Sequence, residues 1–576
     1  MLQSKYVLNL KLQSKRRMPN LLLIPFLWAC LHSSVAYRRQ LRQIHTAQDK
    51  CGLEMSLSVS LALSPLRQVT RLCRPLSSAV DSSVQRNRSG TRELNVETPS
   101  SGKFKTIDDL PGPSLATTVY WLFVKGYADK SHAMQVEHKQ LYGPIWRSCF
   151  GPFDIVNVAT PELIAQVIRQ EGRYPVRTLL SHWKEYRDLR GQAYGLHVDT
   201  GPEWSRLRSA LNPKMLKPQE VTAFVPVIHD VVGDLLSRLE TLRLRSPDHV
   251  TVCDLAAELY KFGFEGISSV LFATRLGCLQ EDIPTDTLRF INATSDMLRL
   301  SETVIFLPRW TRAFLPFWKQ FVQAWDDLYD VAQRLIDRKV EEMESKMSVG
   351  EEVESVYLMH LLSSGKVTKE EVYITITELL LGGVDTTSNT LSWTLYHLAR
   401  DPEVQDRLRR EVTDVCPDRR LPTSDDLAHM HYLKAVIKET LRLYPVVPGN
   451  GRVTLENDVV VDNYWFPKET QFHLCHYAVS HEEGEFPDAE RFTPERWLRG
   501  TPTRSQHHPY SSIPFGVGVR ACVGKRLAEL EMYFALSRIM QHYHVRPCEG
   551  ASVIQPKTRT LLIPSQPINL RFLPIA

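Results

Sequence analysis

Pro514-Phe515-Gly516-Val517-Gly518-Val519-Arg520-Ala521-Cys522-Val523-Gly524 puts one cysteine in a glycine-rich loop. The loop runs straight into a helical pattern with Val523, Leu527, Leu530 and Phe534 on one face. Backbone N–H groups and the positive end of the helix dipole favour a thiolate at such a helix start, and the glycines admit close approach of a flat ligand. An isolated cysteine beside glycines is more often a small buried residue. This one is not isolated, because its neighbours repeat a fixed spacing.

A thiolate so placed can ligate haem iron and donate electron density that favours O–O cleavage. Arg520, two residues earlier, can reach a haem carboxylate through charge-assisted hydrogen bonds. Phe515, Gly518, Arg520, Cys522 and Gly524 fall on the spacing Phe-x-x-Gly-x-Arg-x-Cys-x-Gly. On this motif the chain resembles the cytochrome P450 family of haem-thiolate monooxygenases, and the resemblance extends over essentially everything from residue 107 onward. It implies haem b as cofactor, with Cys522 as the axial iron ligand and Phe515 and Arg520 beside it.

Three further segments carry the same resemblance. Glu439-Thr440-Leu441-Arg442 is an acid–base pair spaced i,i+3, a pattern that on a solvated helix contributes little. Ala435, Val436, Ile437, Leu441 and Leu443 surround it with apolar residues, so this helix reads as buried. The resemblance adds Arg496, from Phe492-Thr493-Pro494-Glu495-Arg496-Trp497, and makes Glu439, Arg442 and Arg496 a structural network that holds the approach to Cys522. Leu380-Leu381-Gly382-Gly383-Val384-Asp385-Thr386-Thr387 lies inside a long helical pattern, where two glycines are poor interior residues. From the residues alone this is a weakened core helix with a threonine bonding back to the preceding turn. The resemblance implies instead a helix opened at Gly382 and Gly383, with Thr386 donating a hydrogen bond to dioxygen and Asp385 gating proton delivery. Trp204 and Arg208, in Trp204-Ser205-Arg206-Leu207-Arg208, and Arg452, after Pro445-Val446-Val447-Pro448, match the family's propionate ligands. A Trp/Arg pair at i,i+4 is otherwise commonly a packing or cation–π pair.

Around this domain the chain is unevenly charged. The total is +5, yet residues 1–80 hold twelve Lys/Arg against Asp49 and Glu54, so the rest of the chain is mildly acidic. The basic excess therefore gives no support to nucleic-acid binding. Arg67, Arg71 and Arg74 share a helical face opposite Val69 and Leu72, within a Ser- and Leu-rich acid-free stretch from Met55 to Val80, which is mitochondrial targeting chemistry. A competing signal is Leu21 to Leu31 behind Lys15, Arg16 and Arg17, but it is short for a membrane span and Pro25 interrupts it. The expected organisation is a presequence over 1–80, a polar linker over 81–106 and one large domain over 107–576. Met18 and Met55 are alternative starts.

Composition and patterning place that domain in the mainly α class with small β-sheets. Hydrophobic residues make up 43%, enough for a large core, and no repeat or long Gly/Ser linker divides the chain. Glu371 to Ala399 and Leu433 to Leu443 read as helices, with few strand signals between about 130 and 445. Asp458 to Val461 and Gln471 to Tyr477 read as strands. Ten cysteines without regular spacing indicate neither a zinc ribbon nor a disulfide framework. On the mitochondrial reading, Asn87-Arg88-Ser89 and Asn292-Ala293-Thr294 are chance matches to glycosylation sites.

Partners and substrate follow from the resemblance. In the mitochondrial branch, electrons come from NADPH through a flavoprotein reductase and a small acidic, adrenodoxin-like ferredoxin. Lys434 and Lys438 on the Glu439 helix, with Lys525 and Arg526 after Cys522, occupy places where those members carry docking cations; the alternative is a solvated helix face. Ile305 to Trp318 is strongly aromatic with interleaved cations, reading either as packing or as a loop that dips into a bilayer surface, which the resemblance places on the matrix side of the inner membrane. This stretch, with Tyr174-Pro175-Val176-Arg177 and Leu443 to Pro448, is most similar to the sterol side-chain hydroxylases of vertebrate mitochondria. The implied reaction is hydroxylation of a terminal side-chain methyl of cholesterol, a bile-acid intermediate or a vitamin D sterol. The alternatives are a mitochondrial vitamin D or steroidogenic hydroxylase and, in a different class, a non-catalytic haem-thiolate sensor or sterol-binding protein.

Overall fold

Helix signals account for most of the chain that the computed structural model describes, which is residues 104–575 apart from 151–152, 179, 308, 352–356, 455 and 501–505. The expected presequence, and all but the last three residues of the expected linker, lie outside the described residues. The principal helices are α1 (Ser131–Tyr142), α2 (Pro161–Arg169), α3 (Ser181–Arg190), α4 (Gly201–Leu216), α5 (Val225–Arg245), α6 (Leu255–Phe272), α7 (Thr285–Phe306), α8 (Pro316–Ser348), α9 (Lys369–Arg400), α10 (Pro402–Val415), α11 (His431–Leu443) and α12 (Lys525–His542).

Local chemistry sets their ends. Before α9, the Thr368 hydroxyl accepts from the Glu371 N–H at 3.2 Å while the Glu371 carboxylate accepts from the Thr368 N–H at 2.8 Å, a reciprocal cap. Prolines Pro161 and Pro402 occupy the first turns of α2 and α10, where a missing N–H costs nothing. Helix α9 is buried nearly all round, as a central helix must be, and packs on α6 and α8. Trp325 of α8, Trp393 of α9 and Phe262 of α6 are fully buried in the main core.

The strands are β1 (Ile145–Phe150), β2 (Phe153–Val158), β3 (Thr251–Val252), β4 (Asn450–Val453), β5 (Val459–Val461), β6 (Tyr464–Phe466), β7 (Gln471–Leu474), β8 (Tyr543–Pro547), β9 (Pro556–Arg559), β10 (Leu561–Pro564) and β11 (Leu570–Pro574). The largest sheet has the order β1-β2-β7-β4; β2 and β7 are parallel, the other pairs antiparallel. Its register sets Phe472 opposite both Val156 and Arg452, and Ile145, Val156, Leu163, Val461 and Phe472 form a second apolar cluster. The fold is thus mainly α with small sheets.

Two local expectations change. The Gln471 to Tyr477 run stops being a strand at Leu474: the Cys475 N–H donates to Val158 O at 2.9 Å, and the chain turns into the short helix His476–Ser480, whose Tyr477 packs on the His132 ring. The β1–β2 hairpin falls in a region with few strand signals, because its pairing with β7 is made more than 300 residues away in sequence. Among the described residues Cys253, Cys278, Cys416, Cys475, Cys522 and Cys548 take part in no disulfide.

Candidate active site

Two glycines shape the loop before α12. Gly516 and Gly518 have φ of 68° and 69°, backbone that side-chain-bearing residues rarely adopt, and they fold the chain back so that the Cys522 N–H donates to Phe515 O at 2.8 Å. The Cys522 thiol is pushed up by burial, against which the Gly524 N–H and then Arg177 and Arg208 pull it down. Desolvation thus opposes the thiolate, and the charge of a bound metal ion is what would complete it.

Guanidinium groups converge beside the thiol from remote parts of the chain. Arg520 lies over the Trp204 ring, 3.5 Å from its centroid, and donates to Pro175 O at 2.6 Å, Leu196 O at 3.4 Å and Asp199 O at 3.3 Å. Arg208 donates to Ala521 O at 2.8 Å and to Asn212 at 2.7 Å. Arg452 pairs with Glu171 and donates to Val517 O at 3.3 Å. The fourth is Arg177, which donates to Arg520 O and whose buried Nε has no partner. Burial, followed by repulsion from Arg177, Arg452 and Arg208, drives Arg520 down to about 9; burial and Arg452 bring Arg177 down to about 10. Four crowded cations next to a thiol, with Glu171 as their one ion-pair partner among the described residues, fit a flat group that brings two carboxylates and a metal. The sequence reading gave Arg177 no role. Its local signal is a bare Tyr-Pro-Val-Arg, and its neighbours Arg452 and Arg520 are supplied only by tertiary folding.

Asp385 and Thr386 sit in the middle of α9. The helix is continuous from Lys369 to Arg400, so the expected opening at Gly382 and Gly383 is absent. The Thr386 hydroxyl donates to Gly382 O at 2.7 Å, giving a second partner to the carbonyl that such an opening would expose. The glycines nevertheless have separate uses. A Cβ on Gly383 would stand 2.9 Å from Ile267 Cβ of α6, so this glycine permits close packing; a Cβ on Gly382 would meet nothing within 4 Å. Gly382 is exposed, with Gly383 and Thr386 half-buried beside it, so α9 faces open space there. Burial pushes the Asp385 carboxyl up to about 7, with Arg559 pulling it the other way.

The buried acid–base network is complete. Arg442 donates to both Glu439 oxygens at 2.9 and 2.8 Å, and on to Ser480 O at 2.9 Å and Arg491 O at 3.2 Å. Arg496 donates to Glu439 at 3.0 Å and to Pro487 O at 3.1 Å. The Thr493 N–H and the Trp497 indole N–H also donate to Glu439, at 3.0 and 2.8 Å. All three charged side chains are buried, and α11 is thereby fastened to the 480–497 segment.

Opposite that buried face, Lys434 is half-buried and Lys438, Lys525 and Arg526 are exposed. Burial pushes the Glu529 carboxyl up, and Lys525, Arg526, Lys438 and Lys434 pull it down, so the four cations surround one acid that the sequence reading missed. A recess of about 560 Å³ beside them is lined by Trp204, Arg208, Gly518, Cys522, Lys525 and Glu529, among others.

The family model described as Cytochrome P450 matches residues 110–572. "Sterol 26-hydroxylase, mitochondrial" of Rattus norvegicus is 43% identical over 489 residues, covering 83% of this chain and 92% of the relative. The Homo sapiens protein of that name is 44% identical over 475 residues, 81% of this chain and 89% of the relative. "25-hydroxyvitamin D-1 alpha hydroxylase, mitochondrial" of Homo sapiens is 42% identical over 478 residues, 81% and 93% respectively. Matched along nearly the whole described chain, and with a cationic cradle around a loop cysteine that suits haem, this protein belongs to the cytochrome P450 family of haem-thiolate enzymes.

Proposed function

We propose that the protein hydroxylates the terminal side-chain methyl of a sterol in mitochondria, drawing electrons from NADPH through a reductase and a small acidic ferredoxin. The observation that carries the substrate class is the 43–44% identity, over most of both chains, to the mitochondrial sterol 26-hydroxylases. The 42% identity to a vitamin D hydroxylase supports a second reading, a secosteroid substrate.

Haem, when bound through Cys522, supplies dioxygen activation. The protein's own groups do the rest. Arg177, Arg208, Arg452 and Arg520 would hold the cofactor's two carboxylates. Asp385 lies close enough to neutrality to take up and release a proton at pH 7, and its delivery falls to the Thr386 hydroxyl, which donates to Gly382 O beside open space. Lys434, Lys438, Lys525 and Arg526 form the docking face for the acidic ferredoxin, next to a recess that reaches Cys522, which keeps the electron path short.

Membrane attachment fits the exposed apolar groups. Among the described residues no helix is long and apolar enough to cross a bilayer. Trp310 and Phe314 are 69% and 70% exposed and lie 5.9 Å apart between α7 and α8. Phe306 nearby packs on Phe150 and Phe153 of the β1–β2 hairpin, and β1 in turn packs on the Leu115–Val119 helix with its exposed Leu115. This edge lies on the inner membrane, where lipid-soluble substrate is delivered.

The test is reconstitution with ferredoxin, its reductase and NADPH on a panel of cholesterol, a bile-acid intermediate and vitamin D sterols. A terminal-methyl alcohol of cholesterol or the bile-acid intermediate is expected; a ring-hydroxylated secosteroid as the main product favours the second reading, and NADPH oxidation without product overturns both. In the same assay Lys434→Gln/Lys438→Gln should raise the KM for ferredoxin and flatten its salt dependence.

A further inference from the structure

Glu378, two turns before Thr386 on α9, is fully buried and takes part in neither the proton path nor the Glu439 network. Its carboxylate joins two segments that differ in purpose. One oxygen accepts from the His197 backbone N–H at 3.2 Å and lies 3.1 Å from His197 Nδ1; the other is 3.5 Å from the Arg187 guanidinium of α3. A Cβ on Gly195 would stand 2.3 Å from this carboxylate, so the loop closes tightly on it. The loop is the one whose Leu196 and Asp199 carbonyls receive Arg520.

On the α3 side, Arg187 lies 4.1 Å over the Trp325 ring of α8 and donates to Gln192 at 3.1 Å. Trp183 of α3 donates to Ser301 of α7 at 3.1 Å, and Tyr186 donates to Asp326 of α8 at 3.0 Å. Helix α3 is thus fixed to both helices that flank the exposed aromatic segment, and Glu378 is where it meets the Arg520 loop.

We infer that Glu378 is a positioning residue: through His197 and the Gly195–Asp199 loop it aims Arg520 at a haem carboxylate, and through Arg187 it ties that aim to the placement of α3. The inference rests on Arg520 serving the haem. Arg520 stacks on Trp204 and donates only to carbonyls, one of them Pro175 O and the other two, Leu196 O and Asp199 O, in this loop, so a shift of the loop moves two of its three acceptors. A buried carboxylate that accepts a loop N–H and lies at ion-pair distance from an arginine of α3 ties the loop to that helix.

The experiment follows haem transfer from the holoenzyme to excess apomyoglobin at the Soret band, for wild type, Glu378→Gln, Arg520→Lys and the double variant. Glu378→Gln should speed haem loss about tenfold, the usual effect of removing a supporting partner. The double variant should lose haem no faster than Arg520→Lys, because Glu378 acts through Arg520. Additive effects, or an unchanged rate in Glu378→Gln while Arg520→Lys is fast, overturn the inference alone. An unchanged rate in Arg520→Lys overturns it together with the assignment of Arg520. Should Glu378→Gln yield no holoprotein, Gly195→Ala, which displaces the carboxylate and keeps every charge, is compared with Arg520→Lys by the same criterion.

Discussion

Asp385 shows how one position acquires chemistry from burial. Its carboxyl, 8% exposed, is raised from 3.8 to about 7 by desolvation, the effect of Arg559 being smaller. The folded protein therefore holds this proton more tightly than the unfolded chain does. Its contribution to stability is present in full below about pH 4 and is lost as pH rises to about 7, with no further change above. Asp385→Asn should remove this slope from a Tm-against-pH curve. Turnover of the wild type should fall above pH 7 as the acid ionises, whereas Asp385→Asn should be about a hundredfold slower and flat across that range, the scale of a lost general acid. Thr386→Ala should leave haem content unchanged and raise the share of NADPH oxidised without product. A pH-independent wild type would remove Asp385 from the proton path, and a Thr386→Ala variant as well coupled as the wild type would remove Thr386.

Helix α11 does two jobs at the scale of one element. Its inner face buries Glu439 and Arg442 with every Glu439 oxygen hydrogen-bonded, while its outer face carries Lys434 and Lys438. Removing Arg442 takes two hydrogen bonds and one of two cations from a fully buried carboxylate, a loss of up to about 3–5 kcal/mol. Arg442→Ala should therefore give protein that accumulates poorly and lacks haem, read from the reduced carbon-monoxide difference spectrum; normal haem content would sink the structural assignment. Helix α9 is the complementary case. The sequence shows two glycines in a row, and only packing separates them: Gly383 lies against Ile267, and Gly382 faces space.

Over the whole molecule, the positive excess belongs to residues 1–80, and the basic groups that matter in the rest are local: four around the thiol and four around Glu529. The exposed aromatic edge is the matching apolar feature. Trp310→Ser/Phe314→Ser should weaken sedimentation with anionic phospholipid vesicles at least about tenfold, since each side chain withdrawn from lipid forfeits roughly 1.5–3 kcal/mol. Turnover with detergent-solubilised sterol should stay near the wild-type value. Equal vesicle binding by the two proteins would move the membrane contact elsewhere.

The sequence by itself determined what depends on neighbours along the chain: the glycine-permitted turn that presents Cys522, the i,i+3 pairing of Glu439 with Arg442, and the long helical period around Asp385 and Thr386. Each is set by backbone torsion or helical spacing, which act over a few residues. Tertiary structure alone decided what depends on convergence. Arg177 joins Arg208, Arg452 and Arg520, and Glu529 collects four cations. Glu378 becomes a joint between α3 and the Arg520 loop, although it is one more polar residue in an apolar helix when read in line. Desolvation and Coulomb repulsion act through space, so the Cys522 thiol held up by burial and the crowded guanidinium groups come into being only when distant segments pack.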